Sequence, residues 1–194
     1  MKNYGREYFS NLSDHFSKIE ACMENARAID FDEALYQAIA LILKTKTLDG
    51  KVIFIGNGGS AAIASHQAID LWKNGGISAI AFNDPSLLTC ISNDYGYEYV
   101  FEKPIEMFAK ASDVLIAISS SGRSENILRG VDMAKSKRCS VITLSGFRAD
   151  NPLRHKGQLN FFVPSESYGF VEISHLAICH YFADQIMAKK NQLE

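Results

Sequence analysis

The chain has 194 residues, a length that suits one domain with a substantial buried core. Apolar residues make up 47% and charged residues 22%, an ordinary globular balance. The formal net charge is -2 and no Lys/Arg-rich run occurs, which speaks against nucleic acid or an anionic membrane as a partner.

The N-terminal stretch carries no apolar leader, and no apolar run is long enough to span a bilayer. Cys22, Cys90, Cys139 and Cys179 are scattered without a C-x-x-C pair, and three of them sit in apolar stretches as reduced thiols would. A cytoplasmic location is expected. Before Gly50 no strand-like run occurs. Leu12, Phe16, Ile19 and Met23 follow helical spacing, as do Leu35, Ile39, Ile42 and Leu43, with Asp30 placed to cap the second set. Residues 1–48 are expected to form a helical hairpin ahead of an α/β core over 49–194, all within one domain.

From residue 52 the character changes. Short β-rich runs lie at 52–55, 79–82, 114–118, 141–144 and 161–163, separated by helix-length segments. Several are almost continuously apolar, as strands buried on both faces of a parallel sheet are. A last helix is expected over about 170 to 190. The predicted fold is a three-layer αβα sandwich on a five-stranded parallel sheet, flavodoxin- or Rossmann-like, with extra N-terminal helices.

Open parallel sheets bind ligands at the carboxyl ends of their strands. Two loops in that position stand out. The first is Gly56-Asn57-Gly58-Gly59-Ser60, which runs into a helix-compatible Ala-rich segment. Glycines allow close backbone approach, and a helix start offers N–H groups to an anion. The second is Ser119-Ser120-Ser121-Gly122-Arg123-Ser124, whose hydroxyls can donate to phosphate oxygens at another helix start. Each loop alone is also readable as a turn with an N-cap. The first also satisfies a loose dinucleotide-binding pattern, G-x-G-x-x-A. The serine cluster fits a monophosphate ester better, and no P-loop lysine supports a nucleoside triphosphate.

These two loops, together with Ser92-Asn93-Asp94-Tyr95-Gly96-Tyr97, resemble the sugar isomerase (SIS) domain and, more specifically, the bacterial phosphoheptose isomerases. The resemblance covers nearly the whole chain. It implies substrate contacts at Asn57, Gly58, Gly59, Ser60, Asn93 and Asp94, with phosphate and adjoining sugar held by Ser119, Ser120, Ser121 and Ser124. Arg123 replaces what is usually a small or amide residue.

His66 and Asp70 are four residues apart and share a helix face, while Glu172 and His180 lie on the last helix. Taken singly, each is also readable as a surface polar group, or for His180 as a hydrogen-bonded core histidine. In the family, a His and a Glu on the first helix join a Gln and a His from the last helix in a site able to hold zinc. The resemblance places these roles on His66, Asp70, Glu172 and His180, with Asp70 as general base, His180 as its acid–base partner and Glu172 also on the substrate. Asp70 stands where the family has Glu, Glu172 where it has Gln, and the Arg-Ile-Gln-Glu run reads Phe170-Val171-Glu172-Ile173. Eight residues of helix, about 12 Å of rise, separate Glu172 from His180, so both reach one ion only from opposite sides. His175 is read as structural.

The expected activity is isomerisation of a phosphoketose, foremost sedoheptulose 7-phosphate, to the aldose phosphate through an enediolate. Two other readings stand beside it: a non-catalytic regulatory relative like the protein that associates with the bacterial replication initiator, and an isomerase of a different phosphosugar. The resemblance also implies a homotetramer.

Overall fold

The computed structural model describes residues 4–24 and 27–191. The chain opens with α1 (Tyr4–Phe16), β1 (Glu20–Met23), β2 (Ala28–Ile29) and α2 (Phe31–Thr47). It continues through β3 (Val52–Gly56), α3 (Gly59–Lys73), β4 (Ala79–Ala81), α4 (Pro85–Asp94), α5 (Glu102–Phe108), β5 (Val114–Ser119) and α6 (Glu125–Ser136). The last elements are β6 (Ser140–Gly146), β7 (Leu159–Val163) and α7 (Tyr168–Asn191). Asp30 caps α2 as expected, its carboxylate accepting from the Glu33 N–H.

Two expectations are corrected. The region before Gly50 is not a plain helical hairpin, because β1 and β2 separate its two helices. The helical spacing that ends at Met23 is overridden by pairing of Glu20–Met23 with β7, where Ala21 faces Phe161 and Asn160 donates to the Cys22 carbonyl at 3.0 Å. The sheet accordingly has seven strands among the described residues, not five, in the order β2-β1-β7-β6-β5-β3-β4. Five are parallel, and β1 and β2 add an antiparallel flank.

Why these strands sit in the middle layer follows from the two-residue period. Val52 and Phe54 face a core shared with α2, α3 and α7, whereas Ile53 and Ile55 face one shared with α5 and α6. Both faces of β3 and β5 are fully buried, so their sequences are continuously apolar. At the opposite end of these strands from the two loops, buried Asp113 accepts from the Lys51 and Lys110 N–H groups and from Lys51 Nζ, which locks the start of β3 to the start of β5. No helix among the described residues is long and apolar enough to cross a membrane.

Candidate active site

Read along the five parallel strands, the order β4-β3-β5-β6-β7 is 2-1-3-4-5, the doubly wound order whose chain direction switches between its first and third strands. Those strands are β3 and β5, and the glycine loop and the serine loop leave their carboxyl ends toward opposite faces. A crevice opens between them. It has a volume of about 350 Å³ and is lined by Asn57, Gly58, Gly59 and Ser60 on one wall, by Ser119, Ser120, Ser121 and Ser124 on the other, and by Tyr168 and Glu172 from α7.

The helices that begin in this cleft differ from α2 and α4. Asp30 and Asp84 cap α2 and α4 with carboxylates. By contrast, α3 starts after Gly58 and α6 after Ser124 with no side-chain cap. A carboxylate cap would repel an anionic ligand; its absence leaves both positive helix ends open to one. Gly58 holds φ at 54°, a left-handed turn that suits glycine, and so brings the chain from β3 into α3 without a side chain in the cleft.

Behind the serine loop lies a buried polar scaffold. Gly146 N–H donates to the Ser120 carbonyl, and Gly122 N–H donates to Ser119 Oγ at 3.2 Å. Asn151, fully buried, donates to the Arg148 carbonyl at 2.8 Å and accepts from the Arg154 N–H, and its amide abuts Gly122, where any Cβ would collide with it. His175 on α7 donates through Nε2 to the Ser145 carbonyl at 3.1 Å. Burial pushes its imidazole down to about 4, partly opposed by that hydrogen bond, so the ring is neutral at pH 7. Across the cleft Asn57 and Asn126 exchange reciprocal amide hydrogen bonds of 2.9 Å, and the Tyr97 hydroxyl donates to Asn57 Oδ1 at 3.0 Å. At the rim Phe147, with φ 60°, stacks edge-on against Tyr168 with ring centroids 4.7 Å apart.

A cluster of His66, Asp70 and His180 lies farther along the same pair of helices. Nε2 of His66 is 3.3 Å from Oδ2 of Asp70, and Nδ1 of His180 is 3.7 Å from the same oxygen. The other Asp70 oxygen accepts from Asn74 Nδ2 at 3.3 Å. One ligand atom from each of the three residues lies within 4.8 Å of the others. Donors on a tetrahedral zinc ion stand roughly 3.3 Å apart, and two imidazoles with one carboxylate are acceptable zinc ligands, so the cluster fits such an ion. Asp70 is largely enclosed while the two histidines are half exposed, leaving an open side of the kind a catalytic metal site keeps.

Placement of the expected residues is therefore mixed. The glycine and serine loops and Glu172 converge on the cleft, and His66, Asp70 and His180 converge on the cluster. Glu172 does not join the three: it stands over Gly59, where an added Cβ would come within 2.5 Å of both its carboxylate oxygens. The reason is helical rise, since α3 and α7 pack side by side with Gly59 level with Glu172 and Asp70 level with His180. Asn93 and Asp94 stay outside the cleft lining, exposed at the end of α4 and bonded to each other at 2.8 Å. Arg123 points to Asp150 at 3.1 Å. Tyr168, Asn126 and Asn151 escaped the sequence reading; of these only Asn126 carried a local signal, two residues beyond Ser124 on the first turn of a helix entering the cleft.

Residues 14–146 match the SIS domain family. The phosphoheptose isomerase of Helicobacter pylori strain ATCC 700392 / 26695 is 38% identical over 160 residues, covering 79% of this chain and 83% of its own. Among solved structures, the phosphoheptose isomerase of Neisseria gonorrhoeae superposes with a TM-score of 0.82 at 31% identity, over 94% of this chain and 97% of that one. That of Francisella tularensis gives 0.82 at 28% identity, over 97% and 100% respectively. With the doubly wound sheet, the two loops at its switch point and the full-length likeness together, this chain belongs to the phosphoheptose isomerase family of SIS-domain proteins.

Proposed function

We propose that the protein is a ketose–aldose isomerase converting sedoheptulose 7-phosphate to D-glycero-D-manno-heptose 7-phosphate through an enediolate. The observation that carries this reading is the alignment of two sites along α3 and α7: a hydroxyl-lined cleft at uncapped helix starts, and the His66–Asp70–His180 cluster about 12 Å farther along. A phosphate seated on the serine wall leaves the sugar chain to run toward the cluster. Asp70 is placed to take the proton from the carbon next to the carbonyl, and His180 to hand a proton to the neighbouring oxygen. His66 holds Asp70 from the other side.

The donor set of His66, Asp70 and His180 would hold zinc or a related divalent ion, which supplies a Lewis acid for the carbonyl and hydroxyl oxygens. Asp70 is one methylene shorter than the glutamate the family uses, yet its carboxylate still reaches both imidazoles. That retained cluster favours chemistry over a purely regulatory role. A homotetramer accords with the exposed Ile69 and Trp72, which place apolar surface next to His66 and Asp70 on α3.

Turnover of sedoheptulose 7-phosphate by the purified protein, before chelation, after chelation and after zinc is restored, tests the proposal. Aldose phosphate formed in the first and third conditions and lost in the second is expected. Binding of the sugar phosphate with no product in any condition would overturn it.

A further inference from the structure

Asn57 lines the cleft, and its side chain is held by Asn126 and Tyr97. The Ile127 N–H donates to Asn126 Oδ1 at 3.0 Å, and an N–H can meet only an acceptor, so the buried Asn126 amide has one orientation. Asn57 then turns Nδ2 toward Asn126 Oδ1 and Oδ1 toward Asn126 Nδ2. The Tyr97 hydroxyl donates to that same Asn57 oxygen at 3.0 Å. A carbonyl oxygen has two lone pairs, and both are now engaged. Asn57 Nδ2 carries two hydrogens and Asn126 takes one, so what the amide still offers a ligand is a donor.

Tyr97 does not itself line the cleft; it reaches Asn57 from a short 3₁₀ turn, Tyr97–Tyr99. Gly96 starts that turn at φ 109°, a conformation that L side chains rarely adopt. Val100 and Phe101 are buried just beyond it, and the Arg129 guanidinium lies over the Tyr99 ring at 4.2 Å, three residues along α6 from Asn126. Residue 97 is thus fixed from two sides. Tyr97 is nevertheless 55% exposed, so water could serve its hydroxyl, and the core gains little from it.

We infer that Tyr97 is a positioning residue: by filling the second lone pair of Asn57 Oδ1, its hydroxyl keeps the Asn57 amide a donor-only group for the oxygens of the phosphosugar. Without that hydroxyl the lone pair is free to take water, and Asn57 loses one of the three hydrogen bonds that hold it. The inference rests on the phosphosugar reading of the cleft and adds to it a residue from outside the cleft lining.

Two measurements on the full chain test this: calorimetric titration with glucitol 6-phosphate, a polyol monophosphate with no carbonyl to isomerise, and steady-state turnover of sedoheptulose 7-phosphate. Tyr97→Phe, which removes only the hydroxyl, is expected to weaken glucitol 6-phosphate binding and to raise KM, each by about fivefold. Its kcat should stay within about twofold and its melting temperature within about 2 °C of wild type. In an Asn57→Ala background the same substitution should change affinity by less than about 1.5-fold, because the hydroxyl has nothing left to hold. Unchanged affinity in Tyr97→Phe, or an equal loss with Asn57 present and absent, would overturn the role of Tyr97 while leaving the phosphosugar reading intact. A wild-type protein that binds no glucitol 6-phosphate would overturn that reading and this inference with it.

Discussion

Nδ1 of His180 faces Oδ2 of Asp70 across 3.7 Å, so the last helix of the chain and the helix after the glycine loop each supply one side of the proposed acid–base cluster. Neither residue lines the cleft where the two loops meet. On the proposed reading, binding and proton transfer are thus separable. Asp70→Asn is expected to lower kcat by about 100-fold or more, the low end of what a general base contributes, while sugar-phosphate affinity stays within about threefold. Steady-state turnover together with calorimetric titration checks this; an undiminished kcat would remove Asp70 from the chemistry.

His66 shares that carboxylate oxygen from the opposite side, at 3.3 Å. Truncating it removes one of the three proposed metal donors. Loss of a supporting partner already costs 10 to 100-fold in metal affinity, so His66→Ala should cost about 100-fold or more. Competition with a zinc-chelating dye measures it, and equal zinc affinity in variant and wild type would dissolve the proposed ligand set.

Gly59 leaves no room for a methyl group, because a Cβ there meets the Glu172 carboxylate. That obstacle is the end of a flexible side chain, so Gly59→Ala should fold normally and push the carboxylate aside. The melting temperature should stay within about 2 °C of wild type, as for a change well under 1 kcal/mol. A large drop in melting temperature would mean that backbone rather than side chain has to yield.

His175 is buried and neutral, its ionisation pushed down from 6.5 to about 4. In the unfolded chain it binds a proton at higher pH, so the stability it contributes is complete above about pH 6.5 and is lost as pH falls toward 4. Linkage puts the loss between pH 7 and pH 5 at about 2 kcal/mol. Denaturant unfolding across that range should show the decline, and His175→Gln should flatten it. A parallel decline in the variant would trace acid sensitivity to other groups.

Asn151 serves the serine loop from behind, with its amide against Gly122 and hydrogen bonds to the Arg148 carbonyl and from the Arg154 N–H. Asn151→Ala should destabilise the fold by about 2 kcal/mol, through the buried partners it leaves unmade. It should also raise KM more than it lowers kcat, since the cluster is untouched. The reverse split would show that the scaffold acts on the acid–base residues instead.

The parts of the molecule visible in the sequence are those whose cause is local. Val52 to Ile55 and Val114 to Ile118 read as buried strands because both faces are covered and every position is apolar or small. The two loops read as a site because glycines and serines stand together after such strands. What could not be read depends on distant pairing. Ala21 and Cys22 become strand only because Phe161 and Asn160 lie alongside, and Ile19 and Met23 imitate helical spacing by coincidence. The reach of Glu172 was equally hidden, since its placement over Gly59 rather than beside His180 follows from how α3 and α7 line up. Tyr168 enters the cleft by the same route.

The pairing of β1 with β7 also bears on how the protein survives at high concentration. In a purely parallel sheet of this order, Leu159–Val163 would be an outer strand, apolar and bare along one side, which is a template for amyloid-like growth. Here that side is taken by residues from the other end of the chain, and the sheet finishes in a two-residue strand on one flank and a three-residue strand on the other. Neither offers enough ladder for a second molecule to extend. The N-terminal segment is therefore a guard against self-association of sheets, and a version of the chain trimmed back to Phe31 should precipitate even though its loops and cluster are intact.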